Sequence, residues 1–328
     1  MYNLQGFVES VERLLRRHAL PQAGQYARWT AVSHPPADCG PNPYGCADAA
    51  NILYTIGALP SAGPERAAHV ETLRAMQDPS SGLYHEATHH DYHCTAHCIA
   101  ALELFDERPA HRLAAMQTLL EQGALERFLD GLDWRSSPWN ASHQGAGVWA
   151  AMEIANQATA EWSDRYFQWL WQEADESSGF WRRGCTAAAG AAPLFHHLAG
   201  TFHYLFNHQH ARRPLRYPDR LIDTCMEVGF ANIGRGISFA EIDWVYCITR
   251  ALAQCGHRFG DCMAALRAFA AKYIPWLLSL DVARDPRCDD LHGIFGCLCC
   301  LAELQRALPG ELRTHRPLNL VLDRRPFI

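Results

Sequence analysis

The 328 residues are 48% hydrophobic with a formal net charge of -6 and no basic run, so the chain can bury a large core and offers no electrostatic footprint for nucleic acid or an anionic membrane. No stretch reaches the roughly 20 apolar residues of a membrane span, and the first residues hold neither a basic leader nor an apolar run, which makes a cytoplasmic location the expectation. Thirteen cysteines, an odd number, fall mostly in apolar runs, as at Cys94, Cys98, Cys247, Cys297, Cys299 and Cys300, and read as reduced core residues. The only lysine, Lys272, lies beside Tyr273 on an amphipathic segment, which argues against Schiff-base chemistry.

Six times along the chain a polar cluster opens an apolar run rich in Ala, Gly and Cys. The first, near residue 44, carries Tyr44 and Asp48; the second, near 91, carries His89, His90, Asp91, His93 and His97. The third, near 139, has Trp139, Asn140, His143 and Gln144, and the fourth, near 195, has His196 and His197. The fifth, near 240, has Glu241, Asp243 and Trp244; the sixth, near 289, has Asp289, Asp290 and His292. These starts recur every 45 to 56 residues, a period that holds two helices.

Each apolar run follows a segment with apolar residues on one helical face: residues 7–20, 66–76, 113–132, 162–171, 220–230 and 263–280. The spacing therefore predicts an all-α chain of six hairpins, each pairing an outer, half-exposed helix with an inner one buried on both sides. Six such pairs close into an (α/α)6 toroid, a single domain over residues 1–328. Alternating directions make the inner helices parallel, so all six polar clusters gather at one end. Turn chemistry separates the helices at residues 78–82, 175–179, 234–236 and 285–287, and no linker or low-complexity tract intervenes. The tail, about residues 315–328, reads as extended and apolar, packing along the barrel.

The turn from Gln77 through Asp78, Ser80, Ser81 and Gly82 to Tyr84, and that from Gln172 through Asp175, Ser177, Ser178 and Gly179 to Trp181, resemble the Gln-to-Gly-x-aromatic repeat of terpene cyclase and prenyltransferase toroids. The first resembles equally the Asp-x-x-Ser/Thr-Gly-Leu-Tyr turn of six-hairpin glycosidases that cleave unsaturated uronides. Both resemblances imply an α/α toroid. Arg287, Cys288, Asp289 and Asp290 only partly match the Asp-x-Asp-Asp proton donor of squalene-type cyclases. Asp91 to Thr95 resembles the Asp-x-x-His-Thr zinc context of prenyltransferases with Cys94 in place of the His, and the nearest Asp-x-Cys, at Asp223 and Cys225, falls in an outer segment.

Few cores tolerate so many ionisable groups unless these face water or a ligand. Asn140, His143, His93, Glu241, Asp243 and Asp290 are the catalytic candidates; Tyr44, Asp48, Asp91, Trp139, Gln144, His196, His197, Trp244 and His292 are the candidates for binding. Asp91, Ser238 and Asp289 are also ordinary helix N-caps, and a single His is more often structural than catalytic. No cofactor is expected beyond a transition metal such as zinc, for which His93 and His97, at i and i+4, would supply two ligands. An indole that stacks on sugar rings, surrounded by amides, imidazoles and carboxylates, suits a carbohydrate, and Arg182 with Arg183 could hold its carboxylate. The reading is a carbohydrate-active enzyme that hydrolyses or eliminates a glycosidic bond of a uronide-type sugar, with a small molecule or oligosaccharide as partner. The alternatives are an isoprenoid transferase or cyclase and a toroid that binds a ligand without catalysis.

Overall fold

The computed structural model describes residues 1–231, 233–234 and 236–328. Of the predicted turn at residues 234–236, Arg235 lies outside the described residues. A two-residue strand β1 (Tyr2–Asn3) is followed by helices α1 (Gln5–His18), α2 (Pro43–Thr55), α3 (Gly63–Ala75), α4 (Asp91–Glu103), α5 (Ala124–Gly131), α6 (Pro138–Ile154) and α7 (Ala160–Glu173). Then come α8 (Leu194–His210), α9 (Pro218–Val228), α10 (Ala240–Cys255), α11 (Phe259–Leu278), α12 (Leu291–Ala307), strand β2 (Leu312–Arg313) and the single turn α13 (Val321–Arg324). The chain is all-helical apart from the parallel β1–β2 pair, and among the described residues no helix is long and apolar enough to cross a membrane.

Burial divides the helices as their sequences imply. In α1 only Phe7, Val8, Val11, Leu14, Leu15 and His18 are buried, one face of an amphipathic helix. In α4 every residue from His93 to Leu102 is buried, and α6, α8, α10 and α12 are covered almost as completely. Packing against both neighbours accounts for this: α2 touches α4, α4 touches α6, α6 touches α8, α8 touches α10, α10 touches α12, and α12 returns to α2. The contacts of the six inner helices close on themselves. The outer helices lie against this ring, α3 on α2 and α4, α7 on α6, α9 on α8 and α10, and α11 on α10.

Small residues set the closeness of the ring. A Cβ on Gly147 of α6 would lie 2.9 Å from the Tyr92 carbonyl oxygen of α4, and one on Gly200 of α8 would lie 2.9 Å from that of Pro138 in α6.

Two of the turns leading into inner helices are built alike. Asp78 Oδ1 accepts from the backbone N–H and hydroxyl of both Ser80 and Ser81, and Asp175 Oδ1 does the same with Ser177 and Ser178. The glycines that follow, Gly82 and Gly179, have φ of 77° and 72°, which glycine adopts without steric cost. The aromatic residues two positions on then donate their N–H groups to threonines of the next inner helix, Tyr84 to Thr95 and Trp181 to Thr201. Gln77 clamps the first turn through Gly82 and His111, whereas Gln172 is exposed because Ala174 occupies the equivalent place before Asp175.

Two predicted elements differ. Residues 113–132 form a 3-10 segment (Ala114–Leu120) and then α5, interrupted at Gly123, whose φ of 71° cannot continue a helix. The tail is not simply extended. After β2 it forms α13, held by Asp323 against Arg250, which also makes a bidentate pair with Glu303 at 3.0 and 2.9 Å. It then turns inward, so that Phe327 and Ile328 are fully buried, Phe327 against His93 and Phe206.

Gly147→Ala is expected to destabilise the fold by about 1–3 kcal/mol, because the new methyl meets backbone that cannot yield cheaply. Gly260→Ala, at an exposed α11 position with open space around its Cβ, should instead stabilise by about 0.5–1 kcal/mol. Urea denaturation of both variants checks the contrast, and equal effects would contradict the close packing of α4 on α6.

Candidate functional site

The inner helices leave a cavity of about 250 Å³, lined by His89 and His93 of the α4 entrance, Trp139 and His143 of α6, Phe202 and His203 of α8, Asp243 of α10, and Asp290, His292 and Gly293 around the start of α12. Ile237, Ser238 and Phe239, just before α10, and Ile328 complete the wall.

Beneath it, Asp48 of α2 is fully buried, and its Oδ1 accepts from His97 Nε2 at 2.9 Å and His292 Nδ1 at 3.0 Å. Burial opposes ionisation of Asp48, but its interactions with the His292 and His97 imidazoles outweigh it and hold the carboxyl well below its ordinary range. His97 is pushed down to about 4, first by burial, against the opposing pull of Asp48, so it is neutral at neutral pH. With Nδ1 committed to Asp48, His292 presents its other ring edge to the cavity, where the Phe239 ring lies 4.2 Å away.

Asp243 is the opposite kind of carboxyl. It is only 1% exposed, and neither side-chain oxygen has a hydrogen-bond partner among the described residues. Burial, with a smaller push from Glu241, raises its pKa well above the ordinary value and so favours the protonated form. Asp290 is bound otherwise: it caps α12 by accepting from the His292 N–H and takes both Nε and an Nη of buried Arg28, at 2.9 and 3.0 Å.

Three imidazoles face one another across the wall. The ring centroids of His93 and His143 are 4.2 Å apart, and those of His143 and His203 are 4.8 Å apart. Burial, then repulsion between neighbouring rings, lowers His93 and His143 well below the ordinary histidine value, and burial alone dominates for His203, pushed down to about 3. Tyr44, fully buried, bonds His93 Nδ1 through its hydroxyl and stacks on His89 and His97 at 4.4 Å each.

Six of the catalytic and binding candidates thus line the cavity, namely His93, Trp139, His143, Asp243, Asp290 and His292, as do His89 and Ser238, with Tyr44 and Asp48 directly behind them. Others lie elsewhere. Asn140 is exposed and Gln144 half-buried, and neither lines the cavity, because Trp139 and His143 occupy the inward face of the first turns of α6. Asp91 pairs with His85 at 2.9 Å outside the cavity. Glu241 holds the loop before α10, accepting from the Gly234 N–H and the Ser238 hydroxyl. Trp244 points outward to Phe230 and Phe269 with its indole N–H on the Cys225 carbonyl. His196 is exposed and His197 is buried outside the lining. Arg182 and Arg183 are already paired with Glu173, and Arg182 also with Asp130.

His93 and His97 do not converge as a ligand pair. Their rings both pack on Tyr44, but the Tyr44 hydroxyl engages His93 while His97 turns to Asp48, and each belongs to a different buried group of candidate metal ligands: His93 with His143 and His203, and His97 with Asp48 and His292. His203 and Arg28 were not among the residues singled out. The signal for His203 was a polar residue inside the apolar run Phe202, Tyr204, Leu205 and Phe206; Arg28 left none, since it reaches Asp290 across 262 residues.

Compared with known protein families, curated proteins and solved structures, the chain matches none.

Asp243 makes a pH prediction. Its raised pKa means that the folded chain holds a proton that the unfolded chain releases, so its contribution is greatest below the unfolded value of 3.8 and is lost as pH rises toward the folded value. Asp243→Asn should therefore unfold at higher urea than wild type at pH 7, by about 1.4 kcal/mol for each unit between 3.8 and the folded pKa or the pH of measurement, whichever is lower, with the advantage disappearing near pH 4. A pH-independent difference would contradict the neutral carboxyl.

Proposed function

We propose that the cavity is the active site of a carbohydrate-active enzyme that hydrolyses or eliminates a glycosidic bond of an acidic, uronide-type sugar. The fold of this reading is a toroid of six outer–inner hairpins, similar to the α/α toroids of six-hairpin glycosidases and of terpene cyclases and prenyltransferases. The closed contacts of the inner helices and the repeated Asp-x-Ser-Ser-Gly turn support it.

The observation that carries the proposal is the pairing, in one cavity, of a carboxyl whose burial favours its protonated form with an imidazole oriented by a buried carboxylate. Asp243 is the proton donor to the leaving oxygen, since its environment holds the proton that an ordinary carboxyl has lost at pH 7. His292, anchored by Asp48 through Nδ1, is the base, taking a proton from water in hydrolysis or from the sugar carbon beside the carboxylate in elimination. Trp139 offers a face for the sugar ring, and the remaining imidazoles offer donors and acceptors for hydroxyls. Histidines and carboxyls outnumber the Phe and Ile side chains of the wall, which favours this reading over an isoprenoid pocket.

Uronide oligosaccharides, saturated and unsaturated, are the substrates with which to test it, following new reducing ends and the ultraviolet absorbance of unsaturated products. Asp243→Asn and His292→Ala should each lower turnover about 100-fold or more with the fold intact. The wild-type rate should fall on the alkaline side as Asp243 loses its proton. Turnover that survives both substitutions, or no action on any acidic oligosaccharide, would overturn the proposal.

A further inference from the structure

The imidazoles of His93, His143 and His203 come from three successive inner helices and meet at the cavity wall, with one ring nitrogen of each within 4.8 Å of the other two. No hydrogen bond joins any of them to another among the described residues, although His93 is 2% exposed and His203 3%. Three imidazole nitrogens that converge at the cavity wall without mutual bonds leave their polar capacity directed at one point, which suits a common partner.

The outer bonds of two of the rings fix which nitrogen is free. His203 Nδ1 lies 3.0 Å from the Ala199 carbonyl oxygen, which can only accept, so the proton sits on Nδ1 and the lone pair on Nε2. Ser142 Oγ stands at 3.0 Å from the same Nδ1. His93 is anchored through Nδ1 by the Tyr44 hydroxyl, which also leaves Nε2. Anchoring of one ring nitrogen by a carbonyl or hydroxyl while the other faces a common point is how proteins orient metal-bound histidines. Burial also keeps these rings neutral, the form in which imidazole binds a metal.

We propose that His93, His143 and His203 form a three-histidine site for a divalent transition metal of the zinc class, with its open coordination position facing the cavity. Imidazole donors select zinc, cobalt, nickel or copper over magnesium or calcium, which want oxygen. Three nitrogens around a tetrahedral ion at about 2.1 Å stand roughly 3.4 Å apart, so the rings close by about an ångström on binding. Three protein ligands with a vacancy mark a catalytic rather than a structural arrangement. The neutral ligands leave the ion its full double charge, so the fourth ligand is water, hydroxide or an anionic oxygen such as a carboxylate. The Asp48, His97 and His292 group is the weaker alternative, because His97 Nε2 and His292 Nδ1 are already bonded to Asp48 Oδ1. The site does not depend on the identity of the substrate.

The test uses the full chain, stripped with chelator and titrated with cobalt(II) and, by competition, zinc(II). One ion per chain is expected by elemental analysis, with intense visible cobalt bands of low coordination number. His143→Ala, at the half-buried ligand whose replacement disturbs the core least, should weaken binding roughly 100-fold with helix content unchanged by circular dichroism. Asp48→Asn should retain the site. In the wild-type chain, paramagnetic NMR of the cobalt form should show three shifted histidine rings, a count that stands whatever the variants do. Absence of stoichiometric binding, fewer than three shifted rings, or loss of the ion in Asp48→Asn but not in His143→Ala would each overturn the proposal.

Discussion

The buried carboxylate of Asp48 is the constraint around which the inner helices are arranged. A charge in an interior of this kind is tolerated only when donors surround it, and here the donors come from α4 and α12, the two neighbours of α2 in the ring. One residue therefore fixes three helices in register and, through His292, orients a ring in the cavity. Breaking such a buried pair from one side leaves an uncompensated charge, which costs about 3–5 kcal/mol. Stability and function are in this sense joined at a single atom, Asp48 Oδ1.

Around that anchor the ionisable groups sort by environment rather than by type. Asp48 is held below its ordinary range by its imidazole partners, Asp243 is pushed well above that range by burial without partners, and His93, His143 and His203 are kept neutral by burial. Environments that drive like groups apart are what acid–base chemistry at neutral pH requires. The cost falls on folding, since Asp243 leaves two oxygens without partners in the interior. The close approaches at Gly147 and Gly200 bring the rings of α4, α6 and α8 within reach of one another, linking small-residue packing to the chemistry of the wall.

Much of this was legible in the sequence. The change from one-sided to all-round apolar periodicity marks outer and inner helices, and the observed inner helices begin at 43, 91, 138, 194, 240 and 291, against expected starts near 44, 91, 139, 195, 240 and 289. What periodicity does not carry is the rotation of a helix about its axis. Asn140 and Trp139 are adjacent in sequence, yet only Trp139 faces the cavity; Glu241 and Asp243 share one helix turn, yet one holds a loop and the other faces the site. The stagger of the helices was equally hidden, and it brings His203, at the tenth position of α8, level with His93, at the third of α4. Contacts across long separations, such as Arg28 to Asp290, have no local signature at all.

The central claim is that the cavity holds a neutral carboxyl at Asp243 beside an oriented imidazole. Infrared difference spectroscopy of wild type against Asp243→Asn at pH 7 addresses it without need of a substrate. The account predicts a carboxylic-acid C=O stretch in the wild-type chain that shifts in deuterium oxide and is missing from the variant. A carboxylate band in its place would mean that Asp243 is ionised and paired, and would contradict the account.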